Sequence, residues 1–306
     1  MPPLTGRLAP SPTGSQHLGN ARTYLIAWLS ARSREGRVAL RIEDIDVWRN
    51  RPGAKDQLIE DLSWLGLDWD GEAMVQSEQR EAHERALEEL KRLELVYPCT
   101  CTRSDIQAAS SAPHLEHEGP TYPGTCAHRT TADAATLTKP YSWRFRVADS
   151  PPFEDLYLGA THVDLRRAGG DFILWRSMVH PAYQLAVVVD DAAQCVTEVV
   201  RGDDLVASTP RQLLLYRALG LAPPRFAHVP LVAGEDGLRL AKRHGATKLA
   251  DYRARGISAE AVIGLLAWSC GWLAKAEPIT ARELLPLFRW DTIPRERFVV
   301  TGSIPN

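Results

Sequence analysis

The first hundred residues alternate short apolar runs with longer segments of helical periodicity. Gly6–Ala9 is a predicted strand that ends at Pro10, and Val38–Ile42 is a second predicted strand. Apolar positions at helical spacing predict helices over Asn20–Arg34, Gly53–Leu65 and Ser77–Leu95. Strand, helix, strand and helix in this order favour an α/β fold with a parallel sheet.

This periodicity stops after Tyr97. Residues 98–142 are rich in Cys, Pro, His, Ser and Thr and predict an inserted module. Further strands are predicted at Ser142–Val147, Phe172–Arg176, Gln184–Val189 and His228–Val232. Further helices are predicted at Thr209–Leu219, Ala259–Trp272 and Thr280–Leu287. The last two helices indicate a small helical piece at the C-terminal end.

Composition restricts the class of protein more than its function. The 306 residues are 44% hydrophobic and 24% charged, which is typical of a globular chain. The longest apolar run, near Leu185–Val189, is far shorter than the roughly 18 residues of a membrane span, and the first residues carry no apolar signal segment. We therefore expect a cytoplasmic protein. The net charge of −2 neither indicates nor excludes a local nucleic-acid surface.

Three of the five cysteines, Cys99, Cys101 and Cys126, fall close together in the predicted insert. In a reducing compartment such clustering favours a metal over disulfides, and three thiolates with one further ligand would make a tetrahedral zinc site. The chemistry alone leaves His114, His117 and His128 open as the fourth ligand. The apolar surroundings of Cys195 and Cys270 predict buried packing residues.

Two polar loops have the character of phosphate sites. Residues 7–20 (RLAPSPTGSQHLGN) lead from a strand through a Pro/Gly turn into a helix, which points backbone N–H groups at an anion, and Gly19 would allow close approach of a base or ribose. Residues 239–244 (RLAKRH) place three cations beside glycines, as a phosphate clamp requires. Taken singly, each fits an ordinary surface loop better than a phosphate site.

Together, the two loops resemble the motifs of class I aminoacyl-tRNA synthetases, with HLGN at 17–20 for the HIGH motif and RLAKR at 239–243 for the KMSKS loop. Four further segments resemble motifs of glutamyl-tRNA synthetases. They are APSPTG at 9–14, RIEDID at 41–46, YQLAVVVDD at 183–191 and EVVRGDD at 198–204. The resemblance covers about residues 6–250. It implies an α/β fold with a Rossmann-type parallel sheet, a zinc-containing insert and a small C-terminal helical piece.

The resemblance also implies a division of the chain and a role for each motif residue. The first half of the catalytic domain would span 1–97, the zinc-containing insert 98–170, the second half 171–235, and the KMSKS-type loop with a helical region 236–306. The expected catalytic residues are His17, Asn20, Arg239 and Lys242, and ATP binding would involve Pro10, His17, Gly19, Asn20 and Lys242. Glutamate binding would involve Arg7, Ala9, Ser11, Glu43, Tyr183 and Arg201. The expected zinc ligands are Cys99, Cys101, Tyr122 and Cys126.

The expected cofactors are one structural Zn²⁺ and Mg²⁺ bound with ATP. The loop departs from the family pattern at Arg239, which replaces the usual first Lys, and at Ala241, which replaces the Ser. Arg keeps the charge and Ala removes a hydroxyl donor, and since Lys242 is retained we expect the activity to persist.

The length suggests which reaction this chain performs. About 60 residues follow Lys242, whereas full glutamyl-tRNA synthetases have a large anticodon-binding region there. The resemblance to a shorter member of the family implies that the chain activates glutamate to glutamyl-adenylate without a tRNA. It also implies that the glutamate is then transferred to queuosine at the wobble position of tRNA(Asp). The expected partners are ATP, L-glutamate and this tRNA, with no membrane and a monomeric chain. The alternatives are a truncated glutamyl-tRNA synthetase that charges the tRNA 3′ end, and a non-catalytic RNA-binding paralogue.

Overall fold

The computed structural model describes residues 3–46, 50–109, 121–177, 179–237, 240 and 247–300. Its first part is a parallel sheet, in which Gly6 of the first strand lies opposite Val38 of the second. Helices cross between the strands. In chain order the elements are β1 (Thr5–Leu8), α1 (Leu18–Arg32), β2 (Arg37–Ile42), α2 (Ala54–Trp64), β3 (Met74–Val75) and α3 (Arg80–Arg92). The predicted parallel α/β arrangement is confirmed.

The middle of the chain forms an antiparallel sheet and a hairpin. The elements are β4 (Val96–Cys99), α4 (Arg103–Ala109), β5 (Ser142–Phe145), β6 (Phe153–Asp155), β7 (Gly159–Thr161), β8 (Phe172–Arg176) and β9 (His180–Pro181). Strands β4, β5, β8 and β9 pair in that order, while β6 and β7 form the hairpin. The antiparallel sheet therefore follows directly on α3 and carries the first cysteine of the cluster at the end of β4.

The remaining elements return to the parallel architecture. They are α5 (Tyr183–Ala193), β10 (Glu198–Gly202), α6 (Ser208–Ala218), β11 (Arg225–Val229), β12 (Val232–Ala233), α7 (Leu249–Ala254), α8 (Ala259–Ser269) and β13 (Phe298–Val299). Strand β10 pairs in parallel with β11. It also joins β1, because the N–H of Thr197 donates to the Thr5 carbonyl and the N–H of Thr5 donates to Thr197 Oγ1, both at 2.9 Å. The carboxyl ends of β1, β2 and β10 therefore meet at one edge.

Two apolar cores hold these layers together. The larger core packs α1 against the parallel sheet and α8, around the fully buried Trp28, Leu25 and Leu266. The second packs α3, α5 and α6 against the antiparallel sheet, around Leu185 and Leu215. Among the described residues, no helix has both the length and the apolar composition needed to cross a membrane.

Two sequence predictions are wrong. The apolar run Gln184–Val189 is part of helix α5, whose Leu185, Ala186, Val187 and Val188 are all buried. A helix covered on all sides has a continuous apolar run, which periodicity cannot distinguish from a buried strand. Thr280–Leu287 forms turns and one 3₁₀ turn. Thr280 and Glu283 each accept the other's backbone N–H through their side chains, as at a helix start, but Pro286 has no N–H with which to continue a helix.

Smaller differences have local causes. The helix predicted from Ser77 starts only at Arg80, after one 3₁₀ turn, and ends at Arg92 because Glu94 adopts a positive φ of 55°. The strand predicted over His228–Val232 is divided at Pro230, which has no N–H for strand pairing. Cys270 is buried as predicted, but Cys195 is exposed in the turn after α5.

Candidate functional site

A cleft of about 840 Å³ opens at the edge where the carboxyl ends of β1 and β10 meet. This edge is the usual ligand site of a parallel α/β sheet. The structure brings eight of the predicted site residues into the lining of the cleft, namely Arg7, Ala9, Ser11, His17, Asn20, Glu43, Tyr183 and Arg201. Residues far apart in the chain thus share one cavity.

Pro10 and Gly19 lie directly behind this lining. The Pro10 carbonyl accepts a hydrogen bond of 3.0 Å from the Glu43 N–H and so ties the loop after β1 to the end of β2. Gly19 is buried in the first turn of α1, where a Cβ would lie 3.1 Å from the His17 ring and 3.4 Å from Val232 Cβ. Both residues therefore shape the cleft through the backbone.

The start of α1 forms the nucleotide end of the cleft. His17 caps the helix by accepting the Asn20 N–H at Nδ1 (3.3 Å), and the Asn20 amide donates to Gln16 Oε1 (2.6 Å). These contacts fix two polar side chains beside a helix N-terminus, which carries a partial positive charge. An anion is the ligand that such an arrangement favours.

The chain that follows the basic loop meets the same helix start. The Leu18 N–H donates to the Thr247 carbonyl (3.0 Å), and the Leu249 N–H donates to the Gln16 carbonyl (2.8 Å). Leu240 and Thr247 both line the cleft. The predicted catalytic residues Arg239 and Lys242 lie outside the described residues, and their roles stay predictions.

At the opposite end, a buried network fixes Glu43. The guanidinium of Arg41, which is inaccessible to solvent, donates to Glu43 Oε1 (3.0 Å) and to Asp191 Oδ1 (2.6 Å). Arg7 donates to the Val200 carbonyl (3.0 Å) and has its Nε 3.7 Å from Asp191 Oδ1. Burial raises the pKa of the Glu43 carboxyl, although the charges of Arg41 and Arg7 oppose this rise. Burial also raises the pKa of Tyr183.

Arg201 is held by a second network behind the cleft. It donates to His228 Nε2 (3.0 Å), Gln212 Oε1 (2.8 Å) and Thr209 Oγ1 (2.8 Å). Because a guanidinium only donates, His228 Nε2 accepts and the ring proton is on Nδ1, which donates to Asp155 Oδ2 (2.6 Å). Burial, aided by the charge of Arg201, lowers the pKa of His228 to about 4, so the ring is neutral.

Sequence reasoning missed the residues that orient these arginines. Arg41 and Asp191 belong to sequence motifs, but nothing in the sequence indicated that these two charged side chains are buried. Asp155 and His228 stand in no motif at all, and a lone His on a strand is an ordinary core residue. Only the three-dimensional structure brings them together.

The cysteine cluster lies apart, at the end of β4. The Sγ atoms of Cys99, Cys101 and Cys126 are all within 4.8 Å of one another, and all three are free thiols. The Tyr122 hydroxyl is 3.4 Å from Cys99 Sγ and accepts the Cys126 N–H (2.8 Å). Burial raises the pKa of the Cys126 thiol, but hydrogen bonds from the Thr100 backbone, Cys101 and Tyr122 outweigh this effect and lower the pKa to about 7.

Three sulphur donors with one phenol oxygen fit a tetrahedral Zn²⁺ site. Of the histidines that the chemistry left open, His128 is exposed and does not belong to the group of close ligand atoms, which favours Tyr122 as the fourth ligand. His114 and His117 lie outside the described residues. The cluster is therefore consistent with one zinc ion, which these residues would hold in the segment after β4.

The parallel sheet, the histidine at the start of α1 and the paired arginines of the cleft define a class I aminoacyl-tRNA synthetase catalytic domain. The chain belongs to this family, since the family model for tRNA synthetases class I (E and Q), catalytic domain, matches residues 3–293. It is accordingly a ligase of the synthetase type.

Individual proteins of this family match the chain over different shares of their own length. The chain is 50% identical to a glutamyl-Q tRNA(Asp) synthetase of Symbiobacterium thermophilum over 96% of this chain and 94% of that protein. It is 41% identical to a glutamate–tRNA ligase of Geobacter sulfurreducens over 90% of this chain and 59% of that protein. The crystal structure of a glutamate–tRNA synthetase from Elizabethkingia anophelis superposes with a TM-score of 0.83 at 26% identity, covering 98% of this chain and 68% of that one.

Proposed function

We propose that the protein activates L-glutamate with ATP, without a tRNA, and then transfers it to queuosine at the wobble position of tRNA(Asp). The observation that carries this proposal is the 50% identity over 94% of a relative named for that reaction. The cleft supports it, because its buried arginines and Glu43 match an amino acid with two carboxylates and one ammonium group.

In the first step a carboxylate oxygen of glutamate attacks the α-phosphorus of ATP, and pyrophosphate leaves. Charge builds up on the phosphoryl oxygens in the transition state, so fixed donors and cations dominate the catalysis. His17, Asn20 and the N–H groups of α1 supply the donors at one side of the cleft. Lys242 and Arg239 would supply the cations for the triphosphate, to which Mg²⁺ would be bound.

Glutamate binds at the other end of the cleft. Arg7 and Arg201 hold a carboxylate, since a guanidinium matches its two oxygens. Glu43 pairs with the α-ammonium group, and Tyr183 and Ser11 add neutral hydrogen bonds beside Ala9. Because Arg41 and His228 fix the orientations of Glu43 and Arg201 before substrate arrives, little reorganisation is needed on binding.

In the second step a hydroxyl of the queuosine cyclopentenediol attacks the carbonyl carbon of glutamyl-adenylate. A new C–O ester bond forms and the C–O bond to the phosphate breaks. AMP leaves with the electron pair of that bond and takes up the hydroxyl proton. The product is a glutamyl ester of the modified nucleoside.

The remaining parts of the chain serve tRNA binding and structural integrity in this proposal. Cys99, Cys101, Tyr122 and Cys126 hold one structural zinc ion, which cross-links the segment after β4 around this small buried cluster. The insert (98–170), which separates the two catalytic halves, and the region 236–306, which follows the second half, contact the anticodon stem-loop of tRNA(Asp). The enzyme acts as a monomer.

Exchange of labelled pyrophosphate into ATP tests the first step. With zinc-replete protein, Mg²⁺ and glutamate, we expect exchange in the absence of any tRNA, and no exchange with aspartate. A requirement for tRNA would contradict the tRNA-independent mechanism. Absence of exchange under all conditions would favour a non-catalytic RNA-binding paralogue.

A further inference from the structure

A second, smaller cavity of about 260 Å³ adjoins the cleft. The two cavities share Ser11, Glu43 and Tyr183 as lining residues. A group in the small cavity therefore lies beside the ammonium end of bound glutamate. Its volume is below the roughly 300 Å³ of the smallest common ligand pockets, so it suits a single ring rather than a whole nucleotide.

Two polar side chains of this cavity have unused hydrogen-bonding capacity. Gln76, which is 1% exposed, donates from Nε2 to Asp190 Oδ2 (2.7 Å). Because a carboxylate only accepts, this bond fixes the orientation of the amide, and its Oε1 has no partner in the described part of the chain. Both ring nitrogens of His180 are buried and likewise lack a partner among the described residues. Buried polar atoms are seldom left unpaired, which points to a ligand that supplies donors.

The carboxylate of Asp46 offers a partner to a donor-rich, cationic group. The lining also contains Glu43, which is paired with the buried Arg41, and the cation Arg176. Burial, together with the nearby charges of Arg176 and Arg80, lowers the pKa of His180, and Asp46 opposes this shift. The neutral His180 ring therefore offers one acceptor and one donor.

The entrance of the cavity suits a nucleic acid. Arg176 is exposed at the end of β8 and lines the cavity. Arg80 donates to the Val179 carbonyl (2.6 Å), and the Val179 side chain is 60% exposed. Two guanidinium groups beside an exposed apolar side chain match the phosphates and bases of a single-stranded loop.

We propose that this cavity binds the cyclopentenediol ring of queuosine, with Gln76 Oε1 and His180 bonded to its hydroxyl groups and Asp46 paired with the adjoining secondary ammonium. The inference rests on the proposed function, whose acceptor it localises. A terminal adenosine also has a vicinal diol, but it has no ammonium group. Asp46 therefore makes the cavity selective for the modified wobble nucleoside over the tRNA 3′ end.

Single-turnover kinetics separate this proposal from the activation of glutamate. Preformed enzyme–glutamyl-adenylate, made with labelled glutamate, is mixed with tRNA(Asp) that carries queuosine. We expect His180→Ala and Asp46→Asn to slow the transfer at least tenfold, while pyrophosphate exchange stays within about twofold of wild type. Asp56→Asn, which neutralises an exposed carboxylate in the first turn of α2 and outside both cavities, is the matched control for Asp46→Asn and should change neither rate.

A binding measurement adds a readout that a merely structural defect would not produce. We expect wild type to bind tRNA(Asp) more tightly with queuosine than without it, and Asp46→Asn to lose this preference while affinity for the unmodified tRNA is kept. Unchanged transfer in both cavity variants, or an equal loss of exchange and transfer, would overturn the assignment. Wild-type protein that exchanges pyrophosphate but never transfers glutamate to queuosine would instead overturn the proposed acceptor.

Discussion

The buried pair of His228 and Asp155 makes the stability of this protein depend on pH in a defined window. The pKa of His228 is about 4 in the folded chain, against an ordinary value of 6.5. Between these values the unfolded chain binds the proton and the folded chain does not, so stability falls as pH falls from 6.5 towards 4. The difference of 2.5 pKa units corresponds to about 3 kcal/mol.

The informative perturbation is His228→Gln. A glutamine can accept from Arg201 and donate to Asp155 without titrating. The free energy of unfolding in urea is measured for both proteins between pH 7.0 and pH 4.5. From pH 7.0 to pH 4.5 we expect the free energy of unfolding to fall by about 2 kcal/mol more in wild type than in the variant. This is the value obtained when proton binding by His228 in the unfolded and folded chains is integrated over that range.

Comparison of the two proteins cancels the titration of the other histidines. Asp155 does not interfere, because hydrogen bonds from His228 and from the backbone lower the pKa of its carboxyl despite burial, and it titrates below the window. Parallel stability curves for wild type and His228→Gln would refute the reasoning. They would show that His228 titrates normally and is not the neutral acceptor that orients Arg201.

Three further predictions concern the ATP, metal and glutamate sites. Lys242→Ala should slow single-turnover adenylate formation about 10²-fold or more, because it removes a cation from the phosphoryl transition state, and an unchanged rate would exclude that role. Cys99→Ser should lose stoichiometric zinc in elemental analysis while the exposed Cys195→Ser keeps it, and full zinc in Cys99→Ser would show a different ligand set. Glu43→Gln should raise the KM for glutamate about tenfold or more and leave that for ATP unchanged. Since burial raises the pKa of Glu43, the wild-type KM should also rise as pH falls, and a pH-independent KM would contradict the ammonium contact.

The sequence predicted the contents of the cleft better than the elements that surround it. Arg7, Glu43 and Arg201 could be assigned to one site because each stands in a segment that resembles the glutamyl-tRNA synthetases, and all three line the cleft. The element that carries Tyr183 was predicted as a strand, since an apolar run buried on all sides has no distinguishing period. The position of Tyr183 in the site did not depend on that prediction, because it precedes the run.

The orienting residues and the small cavity could not be predicted, for a different reason. Gln76, His180 and Asp190 come from separate parts of the chain, and their significance lies in which of their atoms are paired. Hydrogen-bond satisfaction is a property of the packed structure and has no local sequence signal. The cysteine cluster is the opposite case, because the spacing of Cys99, Cys101 and Cys126 already indicated a common ligand, and their sulphur atoms do meet.

The position of the attached glutamate on the tRNA tests the central claim most directly. Labelled glutamate is transferred to tRNA(Asp) with and without queuosine, the products are digested to nucleosides, and the labelled nucleoside is identified. If the glutamate is transferred to queuosine, the label is found on the wobble nucleoside of the queuosine-containing tRNA and none is found on the unmodified tRNA. Label on the terminal adenosine would contradict it and identify a synthetase that charges the 3′ end.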